Sequence, residues 1–328
     1  MQAILIITSV LLLSFVFWDV FKTIFSTRGG GPLSNSWTRL LWECLLIVHK
    51  WRPVHRLLTY AGPFMLLSSI LLWYILLGVG VFIAFAAYPD SVINNSTGEL
   101  VDLHKKAYFV SSIISSLGYG DLVPSKYPWT IIASLATLAA TVILTISLSY
   151  VLSVLLAAIE RRKLAQAVFG LGTNISELIN TMKLDSDKDS LKTHIISLSS
   201  HIDAHTFKHF IYPILNFFHN PNPTASSPRA ILLLSDTFFV LEQLPADIQP
   251  PPGIMRLVHS SITNYAESLK SSIVGPEGNS NDPPNIMEAA HTMGISIDNP
   301  DFKGRLNKYM SLRRYLVALC KEDGWDEY

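Results

Sequence analysis

Residues 115–121 read Ser-Ser-Leu-Gly-Tyr-Gly-Asp, a short run in which two glycines flank a tyrosine, hydroxyl residues come first and an acid comes last. A backbone that aims successive carbonyl groups at one axis needs conformations that a Cβ atom resists. Glycine adopts such conformations without a steric penalty. Gly118 and Gly120 stand where the backbone would have to alternate, so the run predicts a segment whose carbonyl oxygens carry the chemistry.

The sequence on either side of this run is typical of a membrane protein. Before it, residues 103–114 have the pattern of a short amphipathic helix, and after it residues 129–158 are apolar and almost uncharged. In that setting the run resembles the selectivity filter of the potassium channel superfamily, whose usual form is Thr-Val-Gly-Tyr-Gly and whose carbonyl rings replace the hydration shell of the ion. We prefer this interpretation to an ordinary extracellular turn between two membrane helices.

The resemblance implies a role for each residue of the run. Stacked rings of carbonyl oxygens from four chains would hold potassium ions, with no organic cofactor, and the Ser116 hydroxyl would add the innermost ring. Tyr119 would pack outward and hold the pore diameter, while Asp121 would sit behind the outer mouth. Ser112 stands where some members of the family have a buried acid, and with Asp121 it would support the filter. The implied ion-binding residues are Ser116, Leu117, Gly118, Tyr119 and Gly120.

The run departs from the usual filter sequence in two ways. Serine replaces the usual threonine at positions 115 and 116, which removes methyl groups that stiffen the site, and Leu117 replaces a β-branched residue by one with a more mobile side chain. We therefore expect potassium selectivity, with a non-selective cation channel of the same fold as the alternative.

One filter per chain does not close a ring, so the resemblance also implies a fourfold-symmetric homotetramer. The helix after the filter would line the inner part of the pore. It has no glycine or proline between Trp129 and Phe169, so we expect no sharp hinge, and a hydrophobic constriction that loses its water is one candidate for the gate. The residues predicted to line the pore are Ala140, Thr141, Leu144, Ser147, Leu148 and Val151.

The composition supports a membrane protein and excludes some partners. Hydrophobic residues make up 49% of the chain and charged residues 15%, whereas soluble domains have about 25% charged residues. The formal net charge is zero, so nothing indicates a nucleic-acid partner. Cys44 and Cys320 are far apart in the chain and have no metal-ligand spacing, so we expect two free thiols.

The apolar runs predict an all-α membrane protein in four parts. Residues 1–26 form an extra N-terminal transmembrane helix, which we expect to be retained because the features of a cleaved signal peptide are missing. Residues 27–60 form an amphipathic helix at the cytoplasmic interface, and residues 163–328 form a helical cytoplasmic regulatory domain. Residues 61–162 form the pore domain, which has an outer helix at 63–88, a pore helix at 103–115, the filter at 116–121 and an inner helix at 127–162.

The basic residues predict the orientation in the bilayer. Cytoplasmic loops carry an excess of Lys and Arg, and the segment between the first two spans is basic, as is Arg161-Arg162-Lys163 after the third. The N-terminus is then outside and the C-terminal domain cytoplasmic, in an integral protein of the plasma membrane or the bacterial inner membrane. The basic residues of the first segment are Lys22, Arg28, Arg39, Lys50, Arg52 and Arg56.

Asp19 interrupts the first apolar run, next to Trp18. An acid inside a membrane helix is a candidate functional residue. The position near the end of the span favours an acid at the level of the lipid headgroups, beside an interfacial tryptophan.

The cytoplasmic half has one notable cluster, in which His201, His205 and His209 recur every four residues. Residues four apart share a helix face, so these histidines could hold zinc or titrate together near neutral pH. The alternative is a polar helix face with scattered histidines. The helices predicted in this half are 164–183, 188–218, 227–244, 253–273, 284–293 and 302–322.

A membrane-anchored signalling protein or enzyme on a channel-like scaffold is the rival function class. The soluble half has no nucleophile elbow, phosphate-cradling loop or paired cysteine motif, so we expect no enzymatic activity. A voltage sensor needs a membrane helix with regularly spaced basic residues, and the sequence has none. We expect a stimulus other than voltage, acting through the cytoplasmic domain, whose ligand the sequence does not identify.

Overall fold

The computed structural model describes residues 1–26, 29–51, 59–184, 188–246, 249–269, 283–297 and 299–325. Three of the helices in these ranges are long and apolar enough to cross a membrane. The chain divides into two compact units, the first made of Met1–Cys44 and Pro63–Val154 and the second of Leu45–Gly62 and Leu155–Tyr328. Arg28, Arg52 and Arg56, which contributed to the predicted orientation, lie outside the described residues.

The N-terminal part of the chain is helical apart from two short strands. The three candidate spans are Gln2–Phe25, Ala61–Ala86 and Trp129–Phe169. From the N-terminus the elements are α1 (Gln2–Phe25), α2 (Pro32–Trp51), α3 (Ala61–Ala86), β1 (Val92–Asn94), α4 (Leu103–Ile114), β2 (Leu122–Pro124) and α5 (Trp129–Phe169).

The helix bounds differ from the predicted ones in an informative way. The predicted pore helix corresponds to α4, and α3, at the position of the predicted outer helix, starts and ends two residues earlier than expected. Helix α5, at the position of the predicted inner helix, continues to Phe169, beyond the predicted end at residue 162. A cluster such as Arg161-Arg162-Lys163 ends the apolar run that can cross a bilayer, but Arg and Lys are good helix formers and do not end the helix.

Strands β1 and β2 form an antiparallel pair that the sequence did not predict. Its register aligns Val92 with Pro124 and Asn94 with Leu122. Strand β2 begins directly after residues 115–121, the predicted filter, which are called the filter run below. The strand pair therefore ties the C-terminal end of the filter run to the segment that follows α3.

An aromatic cluster holds the core of the first unit together. The ring of Phe85 on α3 lies 5.3 Å from the ring of Phe109 on α4 and 5.3 Å from that of Trp129 on α5. All three side chains are buried. Aromatic pairs in this geometry contribute about 0.5–1.5 kcal/mol beyond the area that they bury, so the cluster fixes α4 between the outer and inner helices.

Asp19, which was predicted to lie at the level of the lipid headgroups, is fully buried within the chain, at 0% exposure. Its carboxylate accepts hydrogen bonds from the backbone N–H of Leu33 at 2.8 Å and from Nε1 of Trp73 at 2.9 Å. It also accepts bonds from the backbone and hydroxyl groups of Ser34. The first N–H groups of a helix have no partner within it, and Asp19 supplies one for α2 from a neighbouring helix. This acid therefore joins α1, α2 and α3.

The second unit is helical throughout its described parts. The helix Ser227–Leu241 forms its centre, and almost all of its residues are buried. The helix Lys188–Ile211 ends seven residues before its predicted end, because a proline follows at position 213. Cys44 is exposed and Cys320 is buried, and neither takes part in a disulfide within the described residues. The helices of the C-terminal part are α6 (Ile175–Leu184), α7 (Lys188–Ile211), α8 (Ser227–Leu241), α9 (Pro252–Ser268), α10 (Pro284–Thr292) and α11 (Pro300–Glu322).

Candidate ion-conduction site

Helix α4 leads into the filter run and fixes where the run starts. The side chain of Asp102 caps its N-terminus by accepting the N–H of Lys105 at 2.9 Å. At its other end, the Ser115 hydroxyl donates to the carbonyl oxygen of Ser111 at 2.7 Å. The C-terminal end of a helix carries a partial negative charge that favours cations, and this end leads directly into residues 116–121.

The first half of the filter run bends back onto the last turn of α4. The N–H groups of Leu117 and Gly118 both donate to the carbonyl oxygen of Ser112, at 3.0 and 3.4 Å, and the N–H of Ser116 donates to that of Ile113 at 3.2 Å. Ser112 thus lies where a supporting residue was predicted, and its backbone makes these contacts.

The backbone of the filter run alternates in handedness. Ser116, Gly118 and Gly120 have φ angles of 58°, 56° and 79°, whereas Leu117 and Tyr119 do not have positive φ. Alternation of left- and right-handed residues turns successive carbonyl oxygens to the same side of a strand. Among the described residues, Ser116 is the one non-glycine with positive φ, a conformation that costs a residue with a Cβ atom roughly 1–2 kcal/mol.

The carbonyl oxygens of residues 116–119 are open acceptors. In the described part of the chain no hydrogen bond reaches any of the four. The side chains are also uncovered within one chain, with Leu117 60% and Tyr119 64% exposed. A column of unsatisfied carbonyl oxygens is a ligand set for a cation that has lost its water.

Tyr119 and Asp121 both contact Tyr108 of α4. The ring of Tyr119 stacks on that of Tyr108 of α4, with the centroids 6.2 Å apart and the planes 9° from parallel. The Tyr108 hydroxyl donates a long hydrogen bond of 3.5 Å to the Asp121 carboxylate. The C-terminal part of the run is therefore tied to α4 through one tyrosine.

Asn95, which the sequence analysis did not select, makes the closest polar contact with the C-terminal end of the run. Its side-chain amide donates to the carbonyl oxygen of Gly120 at 2.9 Å, and its backbone N–H donates to that of Asp121 at 2.9 Å. No sequence signal links residue 95 to residue 120, because the contact follows from the pairing of β1 with β2.

The six residues predicted to line the inner pore do not share one face of α5. Ala140 and Ser147 are 0% and 1% exposed and pack inside the chain, so they do not line a path between chains. Ala140 faces α3, where the Tyr74 hydroxyl donates to its carbonyl oxygen at 2.7 Å. Thr141, Leu144 and Leu148 are exposed, and Val151 is half-buried.

A stripe of hydroxyl residues runs along the uncovered side of α5. Each side chain donates to the carbonyl oxygen four residues earlier, as Thr141 does to Thr137 at 3.0 Å and Thr145 to Thr141 at 2.9 Å. Thr137 also donates to the carbonyl oxygen of Ile113, at the end of α4. Polar residues in an apolar span face water or other protein rather than lipid. The hydroxyl stripe comprises Ser134, Thr137, Thr141, Thr145, Ser149 and Ser153.

Leucines share this side of α5 toward its C-terminal end. Leu148 is 62% exposed, and Leu144 and Leu152 are also exposed. Four copies of such side chains around one axis would form an apolar constriction, of the kind that closes a pore by excluding water.

The three histidines of α7 do not form one solvent-accessible face of the helix. His201 is exposed, whereas His205 and His209 are buried with their rings 4.5 Å apart. Burial and the charge of Arg161 lower the pKa of His205 to about 3, and burial holds the pKa of His209 well below its usual range. Neither of these two titrates near neutral pH in this conformation. Among the described residues, no group of three His, Cys, Asp or Glu side chains could hold a metal ion.

Arg161 explains why His205 is in a charged neighbourhood. Arg161 lies in the part of α5 that belongs to the second unit. Its guanidinium donates to the Leu215 carbonyl oxygen at 2.6 Å and to the Ser227 hydroxyl at 2.9 Å. It also pairs with the Asp323 carboxylate. The Ser227 hydroxyl in turn lies 3.2 Å from Nε2 of His205. The sequence analysis used Arg161 only as a positive charge that predicts the orientation in the bilayer. In the structure its side chain is buried and holds elements of the second unit together.

Comparisons with known proteins place the chain among membrane proteins and go no further. No family model matches the chain, and no solved structure matches it. It is 25% identical over 319 residues to the uncharacterized membrane protein YdjJ of Bacillus subtilis strain 168, a match that covers 96% of this chain and 93% of that protein. Together with the three apolar helices, this similarity identifies the chain as a mostly helical membrane protein.

Proposed function

We propose that the protein is a tetrameric, potassium-selective channel. The observation that carries the proposal is the alternating backbone of residues 116–120, which leaves four consecutive carbonyl oxygens without a donor among the described residues. Backbone groups at membrane depth need partners unless they line a water-filled path. Partly dehydrated cations moving in single file would be those partners.

In this proposal each chain supplies one column of oxygens, and four columns surround the axis. The carbonyl groups of Ser116 to Tyr119 coordinate potassium, and the Ser116 hydroxyl adds the innermost ring. The C-terminal end of α4 adds a favourable potential for the cation. Tyr119 and its stacked partner Tyr108 keep the columns at the spacing that suits potassium.

The inner path is formed by α5 in the same proposal. The hydroxyl stripe offers water and ions a polar surface near the filter, and the exposed leucines around Leu148 form the constriction that gates the path. The C-terminal half, which we place in the cytoplasm, acts on that constriction because Arg161 holds the end of α5 inside the second unit.

The test is reconstitution in a planar bilayer with potassium on one side and sodium on the other. We expect a reversal potential near the potassium equilibrium value. The G120A and G118A variants should abolish potassium selectivity, because alanine at these φ angles costs about 1–2 kcal/mol per chain. Neither Cβ would meet a neighbour within 4 Å, so the effect would come from backbone strain rather than a clash.

Gly294 offers a matched control for these variants. It has a φ of 73° and equally open surroundings, but lies in the turn after α10 and not in the filter. The G294A variant carries similar backbone strain and should keep its selectivity. A wild-type reversal potential near zero would instead indicate a non-selective cation pore, and equal behaviour of all three variants would contradict the assigned filter.

A further inference from the structure

We propose that Asn95 is a positioning residue that holds the outer end of the filter in its conducting conformation. The inference rests on the proposed function, because it assigns a regulatory role at the same site. Asn95 and its two hydrogen bonds to the carbonyl oxygens of Gly120 and Asp121 are called the Asn95 clamp below.

The clamp is held by a turn that forms without help from the filter. The backbone N–H of Asn94 donates to the carbonyl oxygen of Glu99 at 2.9 Å, and that of Gly98 donates to the carbonyl oxygen of Asn94 at 2.8 Å. The Asn94 side chain accepts the N–H groups of Ser96 and Thr97 at 2.9 and 3.1 Å. Since Asn94 also pairs with Leu122 across the two strands, Asn95 is presented to the filter on a fixed support.

The clamp acts on the two residues where the open carbonyl column ends. The carbonyl oxygen of Gly120 accepts a donor from the protein, whereas those of residues 116–119 accept none from the described chain. The clamp therefore fixes the carbonyl group of Gly120, a residue with a φ of 79° whose missing Cβ atom leaves its backbone with few steric restraints. Without the clamp the backbone angles of Gly120 can change, and rotation about its φ bond would turn the preceding peptide and tilt the carbonyl of Tyr119 away from the ion.

Asparagine fits this role because its amide is a neutral donor. Alanine would remove the side-chain bond but keep the backbone bond. Aspartate has nearly the same shape but would place a charged acceptor against the Gly120 carbonyl oxygen, so it should be the more harmful change. The Asn95-Ser96-Thr97 sequence also has the form of a glycosylation site, and the position of its amide in the clamp gives the asparagine a role that needs no glycan.

The experiment compares N95A, N95D and T97V in the full-length tetramer in planar bilayers. Thr97 lies in the same turn, and its hydroxyl contacts Glu99 rather than the filter. We expect potassium current to decay about 3- to 10-fold faster in N95A at low external potassium, the range for loss of one hydrogen bond of about 0.7–1.4 kcal/mol. High external potassium should slow the decay again, because a bound ion stabilises the conformation that binds it.

A pH profile separates positioning from a general loss of structure. N95D should decay faster than N95A near neutral pH and recover as the external pH falls through about 4, because a protonated carboxyl group can donate again. N95A should show no such recovery, and T97V should match the wild type.

Each other outcome overturns the proposal. If N95A and N95D showed the current decay and the selectivity of the wild type, the role of the Asn95 clamp would be refuted, but the proposed channel function would stand. Equal damage in T97V would mean that the turn, and not the amide, matters. A wild-type protein that carries no potassium current would overturn the proposed function and this inference together.

Discussion

The buried pair of Arg161 and Asp323 allows a quantitative prediction for the second unit. Their side chains are 5% and 3% exposed, and Asp323 also accepts the Ser226 hydroxyl at 2.6 Å. The D323N variant keeps the shape but removes the charge, so it leaves the Arg161 guanidinium without its counter-charge. Breaking such a pair by removing one partner costs about 3–5 kcal/mol. Domains are stable by only about 5–15 kcal/mol, so the loss should be large.

The assay is hydrogen exchange of the full-length protein, read by mass spectrometry on peptides from α8 and, as an internal reference, from α3. We expect exchange of α8 to become at least about 100-fold faster, which corresponds to about 3 kcal/mol or more, with α3 unchanged. The E160Q variant is the matched control. Glu160 pairs with Lys208 at the surface, where the two side chains are 49% and 32% exposed, and such pairs contribute about 0–1 kcal/mol.

A double variant tests the reasoning rather than the size of the effect. If D323N is harmful because a charge is left buried, then replacing both residues by apolar ones, as in R161M with D323L, should recover much of the lost stability. Unchanged exchange in D323N, or a double variant less stable than D323N, would refute the assignment of Arg161 as a buried, charge-paired anchor.

Three further predictions concern other parts of the chain. A Cβ atom at Gly31 would collide with the carboxylate of Asp19, so G31A should displace α2 and lower the melting temperature of the detergent-solubilised protein by several degrees, which differential scanning fluorimetry measures. His205 and His209 fold in the neutral form, so the stability that they contribute is complete above pH 6.5 and is lost as the pH falls toward 3. Exchange of α7 should show a loss of about 2 kcal/mol per histidine between pH 6.5 and 5. Replacing the hydroxyl of Thr145 in T145V should lower the single-channel conductance, because in the proposed channel an apolar group would then face the ion path.

Each of these predictions has a control in the same region. The G30A variant places its Cβ against a side-chain amide rather than a buried carboxylate, and should be much milder than G31A. H201Q changes an exposed histidine, so the pH dependence should persist in it. An I143V change, on the buried side of α5, should leave the conductance as it is. A reversed order in any of these pairs would contradict the corresponding assignment.

Properties that depend on a few consecutive residues were predictable. The three spans follow from apolar length alone, because the bilayer sets the number of residues needed. The left-handed φ angles of Gly118 and Gly120 follow from the absence of a Cβ atom. In these cases the physical cause lies within the segment itself.

Properties that depend on residues far apart in the chain were missed or wrong. Asp19 is buried because the N-terminus of α2 and a tryptophan 54 positions later supply donors, and hydropathy has no information on either. Ala140 and Ser147 are small enough for a pore wall, but packing against other helices turned their side of α5 inward. The hydroxyl stripe was visible as a four-residue spacing, yet only the packing of α5 decided that this side stays uncovered.

Short segments of the sequence therefore determine local backbone conformation and membrane insertion. These properties depend on backbone sterics and on the transfer of apolar side chains into lipid. The burial of Arg161, the pairing of β1 with β2 and the contact of Asn95 with Gly120 needed the folded chain. A hydrogen bond or an ion pair depends on where a distant partner lies, and tertiary packing alone brings partners separated by 25 to 162 residues together.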